Sequence, residues 1–192
     1  MATLLVKNTH TLITMDDHQR EIPGGGLFVR DGYIEQVGKS SELPTSADEI
    51  VDLEGNIVLP GLINTHHHFY QTLTRAVPAA QDANLFTWLK TLYPIWARLN
   101  PEDIFVSTQT ALAELAHSGC TTASDHLYLF PNGSRLDDEI SAAKIIGMRL
   151  QASRGSMSLG ESQGGLPPDS IVDDEEAILK DSQRLIQRYH DP

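Results

Sequence analysis

The stretch V-L-P-G-L-I-N-T-H-H-H-F, residues 58–69, decides the fold, because it runs an apolar strand into three consecutive histidines. If residues 62–68 are extended, side chains alternate between two faces, so His66 and His68 point the same way and His67 points to the other face. Two imidazoles at positions i and i+2 provide half of a site for a divalent metal such as zinc or iron. For a bare His-x-His, the alternative is a polar strand end with solvated histidines.

After these histidines the sequence alternates between strand-like and helix-like segments, which is typical of parallel βα units. Asn100 can cap a helix, Pro101 suits the first helical position, and the acids that follow favour the positive end of the helix dipole. The predicted strands cover residues 62–65, 121–125 and 148–153, and the predicted helices lie around 85–92, from 101 to a stop signal at 117–119, and over 137–146 and 173–189.

The first 58 residues read as short strands separated by turns. Asp31-Gly32 is the clearest hairpin signal, because glycine readily adopts the positive φ of a tight turn. Glu54-Gly55 predicts a second hairpin. The predicted strands cover residues 4–6, 11–14, 26–30, 33–37 and 50–52, and together they indicate a small β-sandwich-like module.

Composition limits the classes of partner. The chain has 14 basic and 26 acidic residues, and a formal net charge of −12 argues against a nucleic-acid partner. No apolar run approaches the ~20 residues that span a bilayer, so we expect a cytoplasmic protein with no membrane partner. The single cysteine, Cys120, excludes an intrachain disulfide and a cysteine-based zinc site, and its neighbours predict a buried strand start.

Five stretches carry a resemblance to a known family. Residues 60–68 resemble the first barrel strand of the amidohydrolase superfamily, in which the outer histidines of a His-x-His bind the catalytic metal. Residues 68–75 and 88–96 resemble the branch that deaminates purines and triazines, and residues 153–160 and 164–168 add to that match. The resemblance covers the whole chain, but only the N-terminal part of the family's fold.

The resemblance implies an α/β fold, the N-terminal portion of a metal-dependent (β/α)8 TIM barrel preceded by a small β-sandwich-like domain. The expected domains are residues 1–58, and residues 59–192 as the first three βα units. A complete barrel takes ~250 residues, so we expect this chain to be a piece of a longer enzyme, poorly soluble and inactive alone. The full-length protein is expected to be a homo-oligomer.

Chemistry in such a barrel sits where strands end, and this rule selects few positions. His66 and His68 are the predicted metal ligands. Gln71 offers the donor and acceptors needed to read the edge of a purine-like ring, although it is also compatible with a surface position. Trp88 could stack on a planar substrate or anchor the core.

Two further candidates follow the later strands. His126 could bind substrate or metal, or pair with Asp125 in a structural role. Arg154 could hydrogen-bond a ring carbonyl of the substrate or a loop carboxylate. The proton-shuttling glutamate and aspartate of the family cannot be assigned within these residues.

The function that the resemblance implies is metal-dependent hydrolytic deamination of an aromatic N-heterocycle. The preferred expectation is hydrolysis of 8-oxoguanine to urate and ammonia, with one divalent metal, Zn²⁺ or Fe²⁺, as cofactor. The alternative in the same class is an amino- or chlorohydrolase of the hydroxyatrazine and triazine type. The alternative in a different class is a non-catalytic barrel homologue.

Overall fold

The computed structural model describes residues 1–190 and divides into two compact units, Met1–Gly61 and a second unit that begins at Leu62. The last two residues of the predicted second domain, 191 and 192, lie outside the described residues. Among the described residues, no helix is both long and apolar enough to cross a membrane.

The first unit is built from seven short strands in two sheets. One sheet has the order β5-β4-β1-β6, and the other has the order β3-β2-β7. Leu5, Phe28 and Leu43 form its small buried core. The strands are β1 (Thr3–Lys7), β2 (Thr11–Ile13), β3 (Glu21–Pro23), β4 (Gly25–Arg30), β5 (Tyr33–Lys39), β6 (Glu49–Asp52) and β7 (Ile57–Val58).

The two glycine turns of this unit have different outcomes. The hairpin at Asp31-Gly32 is confirmed, because both residues have positive φ, 48° and 85°, and β4 pairs antiparallel with β5. The prediction of a hairpin at Glu54-Gly55 is wrong. Gly55 does turn the chain with a φ of 80°, but β6 and β7 on either side belong to different sheets. A positive φ reverses the chain without fixing which strand the next segment pairs with.

The second unit contains three parallel strands in the order β10-β9-β8, with helices between them. This confirms the predicted α/β alternation, with each predicted strand matched within two residues at either end. The elements are β8 (Leu62–Asn64), α1 (Leu85–Trp96), α2 (Pro101–His117), β9 (Cys120–Leu127), α3 (Leu136–Ile146), β10 (Arg149–Arg154) and α4 (Glu175–Tyr189).

The ends of these helices follow their sequence signals. Asn100 caps α2 by accepting from the backbone N–H groups of Glu102 and Asp103, and the Asp103 side chain accepts from the Asn100 backbone in return. Gly147 ends α3 in the left-handed region with a φ of 78°. Asp174 caps α4 by accepting from the backbone N–H groups of Glu176 and Ala177.

Two apolar clusters hold the second unit together. The larger surrounds Trp96, which is fully buried, and combines α1 with Leu127 and Leu129 at the end of β9. The smaller joins Ala123 of β9 to α2 and α3 and also includes Phe69. The second cluster therefore lies on the face of β9 that packs against the helices, and not on the face beside His66 and His68.

We expect Asn100→Ala to lower the free energy of unfolding by about 1 kcal/mol, because two backbone N–H groups at the start of α2 lose their acceptor. Urea denaturation of the full-length protein measures this change. Asn100→Asp is the matched control, since aspartate caps equally well, and an equal loss in both variants would show that the cap is not the cause.

Candidate metal and substrate site

The three histidines follow β8, which ends at Asn64, one residue before the predicted end of this strand. The imidazoles of His66 and His68 lie together, with ring centroids 5.0 Å apart and planes at 86°. His67 points elsewhere, and its Nδ1 lies 4.0 Å from Asp125 Oδ1. The predicted separation of His67 from His66 and His68 is therefore present just beyond the end of β8.

Three hydrogen bonds attach residues 67–69 to β9. The His126 N–H donates to the His67 carbonyl at 3.0 Å. His68 Nδ1 lies 2.7 Å from the His126 carbonyl oxygen. The Phe69 N–H donates to Asp125 Oδ1 at 2.6 Å. Each of three successive residues is thus held by one of two adjacent residues of β9.

The contact of His68 with the His126 carbonyl fixes the tautomer of His68. A carbonyl oxygen only accepts, so Nδ1 must carry the proton and Nε2 keeps its lone pair. Metal-binding histidines are commonly oriented in this way, with the second ring nitrogen donating to a carbonyl. The donor chemistry of His66 and His68 therefore fits a divalent metal that takes imidazole ligands.

Two imidazoles do not complete a metal site, since zinc usually takes four ligands, three of them from protein in catalytic sites. Within residues 1–190, no group of three histidine, cysteine, aspartate or glutamate side chains is arranged to hold a metal. His126 is close, with its ring centroid 5.5 Å from that of His68. It therefore borders the pair of histidines without forming a third ligand with them.

Two tyrosines that the sequence reasoning missed lie beside these histidines. The Tyr128 ring is 5.4 Å from His68 and 5.5 Å from His126, and the Tyr70 ring is 5.6 Å from Tyr128. Tyr128 follows His126 by two residues just beyond the end of β9, whereas Tyr70 lies on the short 3₁₀ helix Phe69–Thr74. For Tyr128 the spacing was an available signal, because in a strand a period of two returns a side chain to the same side. The sequence carried no such signal for Tyr70.

Gln71 lies on the short 3₁₀ helix Phe69–Thr74 and is half-buried. Its Nε2 donates to the hydroxyl of Tyr70 at 3.1 Å. Burial and the neighbouring Tyr128 strongly raise the pKa of Tyr70, so the phenol stays protonated. The amide nitrogen carries two N–H donors, so Gln71 keeps one donor as well as the acceptor Oε1.

His126 packs its ring over the backbone of Gly155, which follows β10. A Cβ built at Gly155 would overlap the His126 ring, so the absence of a side chain there is what admits the imidazole. Burial lowers the pKa of His126, as do the nearby His68 and His66. His126 is therefore neutral at pH 7, with one donor and one acceptor.

The structure places Trp88 and Arg154 away from this group of rings. Trp88 packs edge-on against Trp96, with ring centroids 5.2 Å apart, as part of the larger apolar cluster. Arg154 ion-pairs with Asp173 at 3.0 Å and Asp181 at 3.2 Å. Its side chain is only 8% exposed and its guanidinium lies 4.4 Å from the Phe130 ring centroid. Each residue makes the structural contact that was the alternative to substrate binding.

Comparison with known proteins identifies the family of this chain. The model of the Amidohydrolase family matches residues 57–191, which include both predicted ligands. The chain belongs to the amidohydrolase family. Proteins of this family are metal-dependent.

Curated relatives include several deaminases. This amidohydrolase is 54% identical over 169 residues to 8-oxoguanine deaminase of Pseudomonas aeruginosa, covering 86% of this chain and 38% of that enzyme. It is 34% identical over 207 residues to hydroxydechloroatrazine ethylaminohydrolase of Pseudomonas sp. (strain ADP), covering 100% of this chain and 43% of the relative. The chain thus spans about two fifths of the length of these relatives.

Solved structures share the fold of the described residues. A triazine hydrolase from Arthrobacter aurescens superposes with a TM-score of 0.92 at 31% identity, covering 100% of this chain and 44% of that one. An atrazine chlorohydrolase from Arthrobacter aurescens TC1, complexed with zinc, superposes with a TM-score of 0.87 at 30% identity, covering 98% and 44%.

We expect Arg154→Met in the full-length protein to lower the free energy of unfolding by about 1–3 kcal/mol, because Asp173 and Asp181 lose a charged partner. KM for the substrate should change little. Arg20→Met removes an exposed pair with Asp16 and is the control, expected to leave the free energy of unfolding nearly unchanged. A large rise in KM with unchanged stability would instead show that Arg154 binds substrate.

Proposed function

We propose that the protein carrying this chain hydrolyses an aromatic N-heterocycle, and that its substrate is 8-oxoguanine. In that reaction water adds an oxygen to the ring carbon that bears the exocyclic amine, the carbon–nitrogen bond breaks, and urate and ammonia leave. The observation that carries the proposal is the 54% identity to 8-oxoguanine deaminase over 86% of this chain. The adjacent imidazoles of His66 and His68, and the contact that sets the tautomer of His68, are consistent with it.

In this proposal His66 and His68 hold one divalent metal, Zn²⁺ or Fe²⁺, together with ligands from outside this chain. A metal bound there supplies a Lewis acid and allows water to act as a nucleophile near neutral pH. The contribution of these residues is orientation, since the His126 carbonyl fixes the ring of His68. The three parallel strands form the beginning of a (β/α)8 barrel, with residues 59–192 as its first three units and residues 1–58 as part of a small β domain.

The substrate ring is proposed to lie against Gln71 and His126. The bond from Gln71 Nε2 to Tyr70 at 3.1 Å orients the amide, and its Oε1 is proposed to accept from a ring N–H. Neutral His126 supplies both a donor and an acceptor. The contacts of Trp88 and Arg154 favour a structural role for both residues over direct contact with the substrate.

A second candidate, a triazine amino- or chlorohydrolase, is favoured by a specific observation. A triazine hydrolase covers all of this chain with a TM-score of 0.92 at 32% identity, and hydroxydechloroatrazine ethylaminohydrolase is 34% identical. Hydroxytriazines and oxopurines both present planar ring edges with N–H groups, so Gln71 suits either. The higher identity favours the purine.

The remaining proposals are that the full-length protein is a cytoplasmic homo-oligomer with a small heterocyclic molecule as substrate. The different-class alternative, a non-catalytic homologue, predicts a full-length protein that holds no metal.

We expect the metal-loaded full-length protein to release ammonia fastest from 8-oxoguanine in a panel with guanine, isoxanthopterin and hydroxytriazines. The measurement is the initial rate of ammonia release at equal substrate concentrations. Protein stripped of metal is the control and should be inactive until metal is restored. Turnover of a hydroxytriazine with none of any purine would replace the first candidate by the second.

We expect His66→Ala and His68→Ala to lose bound zinc or iron in the full-length protein, because each removes one imidazole ligand. His67→Ala should keep most of it, since His67 faces Asp125 instead. Metal content per protomer, measured by elemental analysis of the three purified variants, decides this. Equal loss in all three variants would refute the assignment of the ligands.

A further inference from the structure

Two carboxyl groups are buried on the side of β9 that faces away from His66 and His68. Asp125 of β9 and Glu139 of α3 are each only 1% exposed. Asp125 lies on the side of β9 where Ala123 packs against α2 and α3, and Glu139 is close enough for the charge of Asp125 to raise the pKa of its carboxyl. The surroundings are apolar, including Phe69 and Leu112.

The polar contacts of this pair are few. Asp125 Oδ1 accepts from the Phe69 N–H at 2.6 Å. Asp125 Oδ2 and Glu139 Oε1 are buried and find no conventional donor. Within residues 1–190 neither carboxyl pairs with lysine or arginine, and the one basic group near Asp125 is His67, 4.0 Å away. His67 Nδ1 is itself buried without a hydrogen-bond partner, so it does not satisfy either carboxyl.

Two ionised carboxylates cannot hydrogen-bond to each other, because each is then only an acceptor. Two negative charges in a dry, apolar layer would also repel and lose their hydration. A single proton between the two groups removes both problems. Burial raises the pKa of both carboxyls, and the charge of Asp125 raises that of Glu139 further.

We propose that Asp125 and Glu139 share one proton, held mainly on Glu139, and that the resulting Asp125 carboxylate positions His68 by holding the backbone N–H of Phe69. The inference rests on the proposed function where it concerns the metal. Both are positioning residues, because neither touches the metal ligands' rings or the substrate. An ionised acceptor gives the Phe69 N–H a stronger, charge-assisted hydrogen bond than a neutral one would.

The geometry explains why this bond matters to the ligand. Phe69 follows His68 directly, and the ring of His68 is held by the carbonyl of His126, which follows Asp125 directly. Loosening the backbone at Phe69 would let the chain rotate about the remaining contacts. Outer partners of metal ligands typically contribute 10- to 100-fold in metal affinity, and we expect this pair to act at that scale.

Two variants of the full-length protein separate the proton from mere packing. Glu139→Gln keeps the shape and replaces the acid O–H by an amide N–H donor. Glu139→Met keeps the volume and removes the donor. Glu176→Gln, on an exposed acid of α4, is the matched control. Zinc affinity is measured by competition with a chromophoric chelator, and the protonated carboxyl is detected by infrared difference spectroscopy.

We expect wild type to show the carbonyl stretch of a buried protonated carboxyl group, and Glu139→Gln to lose it while keeping zinc affinity within about twofold. Glu139→Met should lose about tenfold or more in zinc affinity, on the scale of outer partners of metal ligands. Glu176→Gln should change neither property. These results together support both the shared proton and the positioning role.

Three outcomes would overturn the inference. If the infrared band persists in Glu139→Gln, the proton is not on Glu139. If Glu139→Met folds and binds zinc as wild type does, the pair does not position His68. If Glu139→Met does not fold, the test rests on Glu139→Gln alone. A tenfold loss of zinc affinity in Glu139→Gln would then refute the role of residue 139 as a hydrogen-bond donor. A wild type that binds no zinc refutes the proposed metal function, while the infrared band still judges the shared proton.

Discussion

The attachment of residues 67–69 to β9 is the constraint on which the candidate site depends. β8 is only three residues long and ends before the histidines, so its own ladder does not hold them. Their positions come instead from three hydrogen bonds, of 3.0, 2.7 and 2.6 Å, to two adjacent residues of the neighbouring strand. Because β9 is longer and packed on α2 and α3, it provides the rigid support that an imidazole pair requires.

This attachment also separates two chemical environments within a few residues. His66 and His68 lie on the side that carries His126 and Tyr128, where polar groups can meet metal and substrate. His67 and Phe69 turn to the other side, where Phe69 is fully buried among apolar side chains. The buried carboxyl of Asp125 lies at this boundary, and only a hydrogen-bonded, proton-sharing arrangement is compatible with so dry a position.

Much of the fold was predictable because its signals are local. The helix cap at Asn100, the left-handed Gly147 and the hairpin at Asp31-Gly32 are each decided by a few neighbouring residues. The partners of short strands are not local. β3 and β7 have three and two residues, too few for a visible alternation, and the strand after Gly55 pairs in a different sheet from the strand before it. Pairing is set by the burial of whole faces, which a single turn does not encode.

The site was predictable only in part for the same reason. The i, i+2 spacing singled out His66 and His68 in the sequence, and in the structure their rings lie next to each other. Spacing could not show that Arg154 meets Asp173 and Asp181, which lie 19 and 27 residues further along the chain. Nor could it show that Asp125 meets Glu139, since contacts between a strand and a later helix depend on how the two pack.

The hydrogen bond between Gln71 and Tyr70 orients the Gln71 amide. An amide nitrogen carries two N–H donors, and the 3.1 Å bond from Nε2 to the Tyr70 hydroxyl uses one of them. In the proposed function, Oε1 of Gln71 accepts from a ring N–H, which oxopurines and hydroxytriazines both have. That contact does not distinguish a purine from a triazine, so the choice between them must come from groups that contact the far edge of the ring. Since Tyr70 packs against the buried Trp96, with ring centroids 5.1 Å apart, the partner that orients Gln71 is part of the core.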